Sequence, residues 1–443
     1  IADRARSAGY RVVDAPEHAS VLVVNTCTVR DNAERRAYGR IGQFKALKTG
    51  DPSKRIVVMG CLAEQDKDRM QQIVPFIDGV FGTSEIARLG DVLASWNDDD
   101  ADQVIAADDL TRSMADHAGD ACGPYAGLRA FVTVQRGCSY YCTFCIVPHV
   151  RGRFDHRPKP DIIAEVRARI EAGAREIMLV GQTVNAYRDP ADGSDFADLL
   201  YEVASLDGLE RLTFVTSHPK DFHAKLIDAC ASIPQLNPRF HLPVQCGSNA
   251  VLRRMNRKYT IEQYLEHVGE FTARCPGWAL STDLIVAFPG ETEADFEQTL
   301  ELCAKGLFAQ AYMFVYSPRR GTPAAMWEQV NPDIAAERFR RLVRVVDGEI
   351  RKRHERRVGH TVRALKCGPS RKDPSKLASK TLDNVTVITQ MVEGTSPWIE
   401  ARVDAAFTWG FTGTAIGHAD RFHDAMRPVR AAKPIVDLTA LTA

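Results

Sequence analysis

The sequence predicts an α/β protein in three parts: an open parallel α/β domain, a partial barrel of six β/α units, and a small β-barrel. Three observations carry this. Valine-rich apolar runs alternate with helical stretches over the first 95 residues, the pattern of a parallel sheet covered by helices. Six more apolar runs recur at even spacing between about 129 and 330, each followed by polar, Gly and Pro residues. From about 359 to 427, short strand-like runs separated by turns take over, as in a small barrel.

"IADRARSAGYRVVD" reads as helix, with Ile1, Ala5 and Ala8 on one face. It begins with neither a methionine nor a capping residue, so upstream sequence is expected to be missing. "SVLVVN", "RIVVMG" and "DGVFG" read as buried strands, with "DNAERRAYGRIGQFKAL" and "AEQDKDRMQQIV" as helices between them. Cys27 and Cys61 fall just past the C-terminal ends of the first two strands, the edge where open α/β sheets bind ligands. The two cysteines are therefore expected to meet in space. Residues 96–128 are acidic ("NDDDADQVIAADD") and then turn-rich ("HAGDACGPYAG"), which predicts an exposed linker.

The barrel strands are "FVTVQ", "EIMLV", "RLTFV", "RFHLPV", "LSTDLIVAF" and "AYMFVYS". Between them lie helices such as "PDIIAEVRARIEAG", "IEQYLEHVGEFTAR" and "EADFEQTLELCAKG". In barrels of parallel strands the chemistry sits at the C-terminal strand ends. Here those ends read "RGCSYYCTFC", "GQTVN", "TSHP", "QCGS", "FPGE" and "SPRRGTP". Ordinary turns account for the Gly and Pro. They do not account for three cysteines, nor for Gln182, Asn185, Ser217, His218 and Gln245 at one mouth. A long basic helix, "AAERFRRLVRVVDGEIRKRHERRVG", leads to the C-terminal strands "HTVRALKCG", "NVTVITQ", "WIEARVDAAF" and "TGTAIG". The approach carries Arg351, Lys352, Arg353, Arg356, Arg357, Arg363, Lys366, Arg371, Lys372, Lys376 and Lys380. An RNA-binding module and a solvated helix face both fit it.

The formal net charge of the 443 residues is zero, so any nucleic-acid surface must be local. No apolar run approaches the roughly 18 residues of a membrane span, and no secretory signal is visible. Eleven cysteines, odd in number and clustered, fit metal ligation in a reducing cytoplasm better than a disulfide framework. Cys138, Cys142 and Cys145 are spaced C-x3-C-x2-C. Three thiolates suit an iron–sulfur cluster with one iron open to substrate or cofactor. Zinc closed by His149, or by His156, is the alternative at this point. Cys230, Cys246, Cys275, Cys303 and Cys367 read as buried small hydrophobes, with Cys246 set apart by its strand-end position.

The triple cysteine after the first barrel strand, with Phe144 before Cys145, resembles the radical S-adenosylmethionine superfamily. "NTCTVRDNAE", the "GC" at Cys61, "RGCSYYCTFCIVPHVRG", "LVGQTVNAY", "TSHP", "HLPVQCGS", "MNRKYT" and "FPGET" occur in the order seen in its methylthiotransferase family. "GPSRKDP" begins what resembles that family's C-terminal, TRAM-like RNA-binding domain. The resemblance covers nearly the whole chain and implies these parts: 1–95, linker 96–128, radical S-adenosylmethionine core 129–357, TRAM-like domain 358–427 and tail 428–443. It implies a 4Fe-4S cluster on Cys138, Cys142 and Cys145, with S-adenosylmethionine on the open iron. Gly181 and Gln182 follow the second strand, where the superfamily contacts the cofactor's methionine. Phe144, Ser217, Gln245 and Asp283 are further cofactor-pocket candidates, with turn capping as the alternative for the polar ones. Arg319 and Arg320 meet phosphate, a cofactor carboxylate or only solvent.

The family also implies a second 4Fe-4S cluster on three N-terminal cysteines. Cys27 and Cys61 match two; the third is expected upstream of this chain, and Cys122 in the linker is the only nearby spare. The second cluster would then lack a ligand in this chain. In the implied mechanism the N-terminal cluster carries sulfur that one S-adenosylmethionine methylates. A second S-adenosylmethionine, cleaved reductively, yields the radical that takes hydrogen from the substrate carbon. For this the two clusters must face each other. "VNAY" and "TSHP" resemble the branch that adds a methylthio group to C2 of N6-(dimethylallyl)adenosine at tRNA position 37. The alternatives are threonylcarbamoyladenosine in tRNA, an aspartate of a ribosomal protein and, more remotely, a non-enzymatic metal-containing RNA-binding protein. The implied partners are a tRNA anticodon stem-loop and an electron donor such as flavodoxin or ferredoxin, for a cytoplasmic monomer with no membrane contact.

Overall fold

The computed structural model describes residues 1–13, 15–28, 31–96, 104–109, 129–394, 396 and 398–419. Cys122 and the tail 428–443 lie outside the described residues, as does most of the expected linker. The chain divides into two units. One holds the N-terminal region through residue 109 with Gly137–Arg153 and Arg319–Thr322, and the other holds the rest.

In the first unit the elements are α1 (Ala2–Ser7), β1 (Arg11–Val13), β2 (Val21–Thr26), α2 (Asp31–Gly50) and β3 (Arg55–Gly60). Then follow α3 (Cys61–Gln65), α4 (Lys67–Ile73), β4 (Gly79–Phe81), α5 (Leu89–Ser95) and β5 (Val104–Asp109). Gly137–Arg153 adds α6 (Val147–Arg151). The five strands form one parallel sheet in the order β1-β5-β2-β3-β4. Alternation explains the continuous apolar runs, because both faces are covered. Leu22, Val24, Ile56 and Val58 pack on Ala37, Ile41 and Phe44 of α2. Val21, Val23, Val57 and Met59 pack on Ala5, Leu89 and Leu93.

Two expectations are corrected here. The first helix stops at Ser7, and "RVV" is strand. Gly9 sits at φ 88°, and Tyr10 N–H donates to Ala5 O while Gly9 N–H donates to Arg6 O, a Schellman stop. The segment 96–128 is not all linker. Val104–Asp109 is a sheet strand hydrogen-bonded to β1 on one side and β2 on the other. Its acidic flanks hid it, and Ile105 is its one large apolar side chain.

The second unit contains the six barrel strands β6 (Arg129–Thr133), β9 (Glu176–Val180), β10 (Arg211–Phe214), β11 (Arg239–His241), β12 (Ala279–Val286) and β13 (Gln310–Val315). Between the first two, β7 (Gln135–Arg136) and β8 (Asp155–His156) pair antiparallel at the two ends of the cysteine loop. β6, β9 and β10 form one parallel sheet, and β11, β12 and β13 another. Leu212 joins them, donating to Gln235 O at 2.8 Å and accepting from Asn237 N–H at 2.9 Å. The result is an open six-stranded half-barrel. Its helices are α7 (Lys159–Glu171), α8 (Phe196–Ala204), α9 (Ala224–Ser232), α10 (Asn249–Arg254), α11 (Ile261–Arg274), α12 (Glu293–Ala304) and α13 (Pro332–Glu355). Three start in capping boxes, at Asp195, Thr260 and Thr292, each worth roughly 0.5–2 kcal/mol of helix stability.

The first residues of β6, β9 and β10 are in register as Arg129, Glu176 and Arg211. Glu176 pairs with Arg129 at 2.8 Å and Arg211 at 3.7 Å, and accepts from Thr213 Oγ1 at 3.0 Å. Burial raises the carboxyl's pKa, but the two guanidiniums outweigh it and hold the group below its ordinary value.

β14 (Thr361–Pro369), β15 (Lys376–Thr381), β16 (Thr386–Gln390), β17 (Trp398–Phe407) and β18 (Gly410–Ala419) close a barrel in the order β14-β15-β16-β18-β17. β15 was not legible in the sequence. Its inward residues are Leu377, Ser379 and Thr381, so period-two hydrophobicity is nearly absent. The basic approach is partly consumed inside the fold. Arg357 pairs with Asp383 at 2.7 Å, Arg363 with Glu400 at 2.8 Å, and Lys366 donates to Gly394 O at 3.1 Å. His354 Nδ1 lies 2.7 Å from Phe407 O, tying α13 to the barrel. No helix among the described residues is long and apolar enough to cross a membrane.

Replacing Glu176 by Gln leaves two buried guanidiniums without a counter-charge, and about 3–5 kcal/mol of stability should be lost; a urea unfolding midpoint that does not move would contradict this. Burial also depresses the pKa of His354 below 6.5. A depressed imidazole contributes stability that is full above pH 6.5 and is lost as pH falls below it. The drop in melting temperature on going from about pH 7.5 to 5.5 should therefore be smaller in His354→Gln than in the parent.

Candidate functional site

Parallel register brings the first pair of thiols to one edge. Thr26 and Gly60 are register partners, so Cys27 and Cys61 are the next residues of adjacent strands, and both are buried. Gly60 lies at φ 99°, and a methyl group there would strike the Thr26 carbonyl. Only glycine lets Cys61 follow its strand this closely.

Gly137–Arg153 belongs to the same unit and carries Cys138, Cys142 and Cys145. Cys138 N–H donates to Gly152 O at 3.1 Å, and Cys145 N–H to Cys142 O at 2.9 Å. Gly137, at φ 69°, starts the loop where a methyl group would collide with the Arg153 carbonyl. Cys142 is buried, whereas Cys138, Cys145 and Phe144 are half-buried. The loop is fastened beside Cys61: Ile146, Val150 and Cys61 form an apolar cluster, and Thr83 Oγ1 donates to Val150 O. Arg151 Nε donates to Cys61 Sγ at 3.2 Å. Neither Arg151 nor Thr83 was legible beforehand, since their roles depend on packing between distant segments.

The donor set, three thiols on one closed loop, suits an iron–sulfur cluster. His149, which would complete a zinc site, is exposed. His156 lies in the second unit, between the rings of Phe154 and Tyr187 at 5.4 and 5.7 Å. Among the described residues no three Cys, His, Asp or Glu side chains converge as a single ion requires; a cluster offers separate irons to separate thiolates and has no such need.

In the second unit the strand ends carry strain and unmet polar groups. Positive φ values occur at Thr216 (67°) after β10, Gln245 (72°) beyond β11 and Ala287 (58°) after β12. Such conformations cost ~1–3 kcal/mol each and gather at functional sites. Asn185 clasps the next loop, donating to His218 O at 2.9 Å and accepting from His218 N–H at 2.8 Å. Thr216 Oγ1 donates to Gly181 O at 2.7 Å. This clasp presents two buried polar atoms without hydrogen-bond partners, Gln182 Oε1 and Ser217 Oγ. Gln245 bridges to β12 through Asp283 O and Ile285 N–H. Asp283 Oδ2 lies 3.5 Å from His241 Nε2, whose Nδ1 is 3.0 Å from Ser281 Oγ. His218 is strongly shifted toward the neutral form by burial and by Arg257 and Lys220, and its Nδ1 accepts from Lys220 N–H.

The remaining thiols separate by burial. Desolvation pushes Cys246, Cys275 and Cys303 up to about 12, and Cys230 well above its ordinary value. None of these four is a thiolate near neutrality, and the thiolate is the reactive and ligating form. Cys246 is thus a core residue despite its strand-end position. Arg319 is buried and pairs with Glu34 at 3.7 Å, and Arg320, which is exposed, pairs with Asp66 of the same unit.

Comparison with known proteins agrees with this arrangement. Residues 132–303 match the Radical SAM superfamily, and residues 1–82 match the uncharacterized protein family UPF0004. A tRNA-2-methylthio-N(6)-dimethylallyladenosine synthase of Syntrophotalea carbinolica is 41% identical over 86% of this chain and 87% of its own. A protein of the same name from Moorella thermoacetica is 39% identical over 94% of each chain. Among solved structures, the radical S-adenosylmethionine methyltransferase TsrM of Kitasatospora setae superposes with a TM-score of 0.50 at 15% identity, covering 73% of this chain and 65% of that one. That likeness concerns the fold.

Two outcomes separate the thiol classes. Iron bound per chain after anaerobic reconstitution should be unchanged in Cys246→Ala. Gly137→Ala, which cannot close the loop, should lose most of the iron held by Cys138, Cys142 and Cys145 while far-ultraviolet circular dichroism stays the same.

Proposed function

This chain belongs to the tRNA-2-methylthio-N(6)-dimethylallyladenosine synthases of the radical S-adenosylmethionine superfamily, and from that premise we propose that it adds a methylthio group to C2 of N6-(dimethylallyl)adenosine at tRNA position 37. The observation that carries the reading is the closed three-cysteine loop after the first half-barrel strand, in a chain whose relatives share about two residues in five over most of its length. The relatives' names support this substrate over threonylcarbamoyladenosine or a ribosomal aspartate.

Cys138, Cys142 and Cys145 would hold a 4Fe-4S cluster, and Cys27 and Cys61 would contribute to a second. Bound with S-adenosylmethionine, the first supplies the one-electron chemistry that activates an unreactive C–H bond. The chain's own task is to orient and to exclude water. Gly181 has no side chain because Gln135 packs directly against its backbone, where a methyl group would strike it. Gln182 Oε1 and Ser217 Oγ, unmet in the protein, supply an acceptor and a hydroxyl for the polar end of S-adenosylmethionine. Asp283, held beside His241, offers a carboxylate to the nucleoside part. Gln245 shapes the mouth through its strained backbone, and Phe144 shields Cys145 from water. Arg151 donates to the Cys61 sulfur, and such hydrogen bonds tune a cluster's potential. The RNA partner is the anticodon stem-loop, read in part by the small barrel. The electron donor is a flavodoxin- or ferredoxin-type protein, and the setting is a cytoplasmic monomer.

The test is anaerobic reconstitution with iron and sulfide, followed by dithionite and S-adenosylmethionine. The wild type should release 5′-deoxyadenosine, and Cys142→Ala should release none. No release from the wild type would sink the radical reading. In nucleosides from the tRNA of a deletion strain, the methylthio derivative should be missing and the dimethylallyl precursor should accumulate.

A further inference from the structure

The hairpin between β17 and β18 turns on two residues, Thr408 and Trp409. Gly410 follows at φ 148°, where a methyl group would strike the Thr386 carbonyl, so the turn is held against β16. Trp409 is 51% exposed. Its ring stacks on Phe407, with centroids 5.2 Å apart and planes 10° from parallel. The barrel interior is filled by other side chains, among them Phe411, Val387, Ile399 and Val403, so this stack is not part of that core.

The carbonyl of Phe407 is the one bound by His354, which fixes the hairpin to the basic end of α13. Arg351 lies three residues before His354, on the same helix face, and is exposed. Lys352 and Arg356, also exposed, lie two residues to either side of His354 and so project from the other side of the helix end. Lys352 pairs with Glu349 at 2.7 Å. A flat aromatic surface, rigidly mounted at the basic end of a helix, is the arrangement that binds unpaired nucleotides. Every base has a π-face to stack, and every linkage has a phosphate to neutralise. A second exposed apolar pair, Met391 and Ile416, has no flat ring and does not share this chemistry.

We propose that Phe407 and Trp409 form a stacking platform for an unpaired base of the tRNA, with Arg351 meeting the adjoining phosphate and Lys352 and Arg356, farther round the helix end, meeting phosphates beyond it. This rests on the reading of the small barrel as an RNA module, and it adds which edge meets RNA and by what contact.

The test measures binding of a labelled tRNA transcript to the full chain at several salt concentrations. Trp409→Ala should raise Kd on the order of tenfold with little change in the salt slope, because stacking releases no counterions. Trp409→Phe keeps a stacking face and should recover most of the affinity. The triple change Arg351→Gln, Lys352→Gln, Arg356→Gln should weaken binding and flatten the salt slope. Wild-type affinity in Trp409→Ala beside a weakened triple variant removes the platform but leaves the barrel as an RNA module. Wild-type affinity in both removes the RNA reading of this edge altogether. A Trp409→Phe protein as weak as Trp409→Ala, with an unchanged melting curve, also overturns stacking as the cause.

Discussion

Parallel strand pairing is the constraint on which the rest of this structure depends. A parallel strand cannot turn back on its neighbour, so each must be followed by a crossover, and all strands of a sheet end at the same edge. Every residue placed just after a strand is therefore delivered to a shared rim, whatever its distance in sequence. In the first unit that rim receives Cys27 and Cys61 from two strands in register. In the second it receives the loops after β9, β10, β11 and β12, which carry the polar groups of the half-barrel mouth.

The two ends of the half-barrel spend free energy differently. At the strand starts, Arg129, Glu176 and Arg211 form a nearly dry ion triad whose carboxylate also accepts from Thr213, and Arg211 Nε has no hydrogen-bond partner. At the strand finishes, backbone is held at positive φ and two buried polar atoms lack partners. A fold that left such groups unmet for no return would lose stability. The Asn185–His218 clasp holds the two loops that carry these atoms in place.

Burial also sorts the cysteines. Cys230, Cys246, Cys275 and Cys303 sit in apolar surroundings that favour the neutral thiol. In the loop, Cys138 and Cys145 sit at half-exposed positions on either side of the buried Cys142, on a segment closed by short backbone hydrogen bonds. Residue type is the same in both sets, and the environment separates them.

The sequence by itself determined the α/β class, the half-barrel and the triple-cysteine loop, because apolar periodicity, strand-end composition and ligand spacing are local properties. The expected first helix runs too far, because it gives the apolar face of Ile1, Ala5 and Ala8 more weight than Gly9, whose left-handed geometry ends the helix. Three features were not local. β5 is a strand because β1 and β2 leave a gap for it, although its own composition is acidic. β15 takes part in a closed barrel with small polar residues facing inward. The contact of Arg151 with Cys61, the pairing of Arg319 and Arg320 with Glu34 and Asp66, and the identity of the unmet atoms at Gln182 and Ser217 required segments far apart in the chain to be brought together. Those were decided by tertiary packing, since a hydrogen bond or an ion pair depends on where two groups end up in space and leaves no periodic trace in either segment.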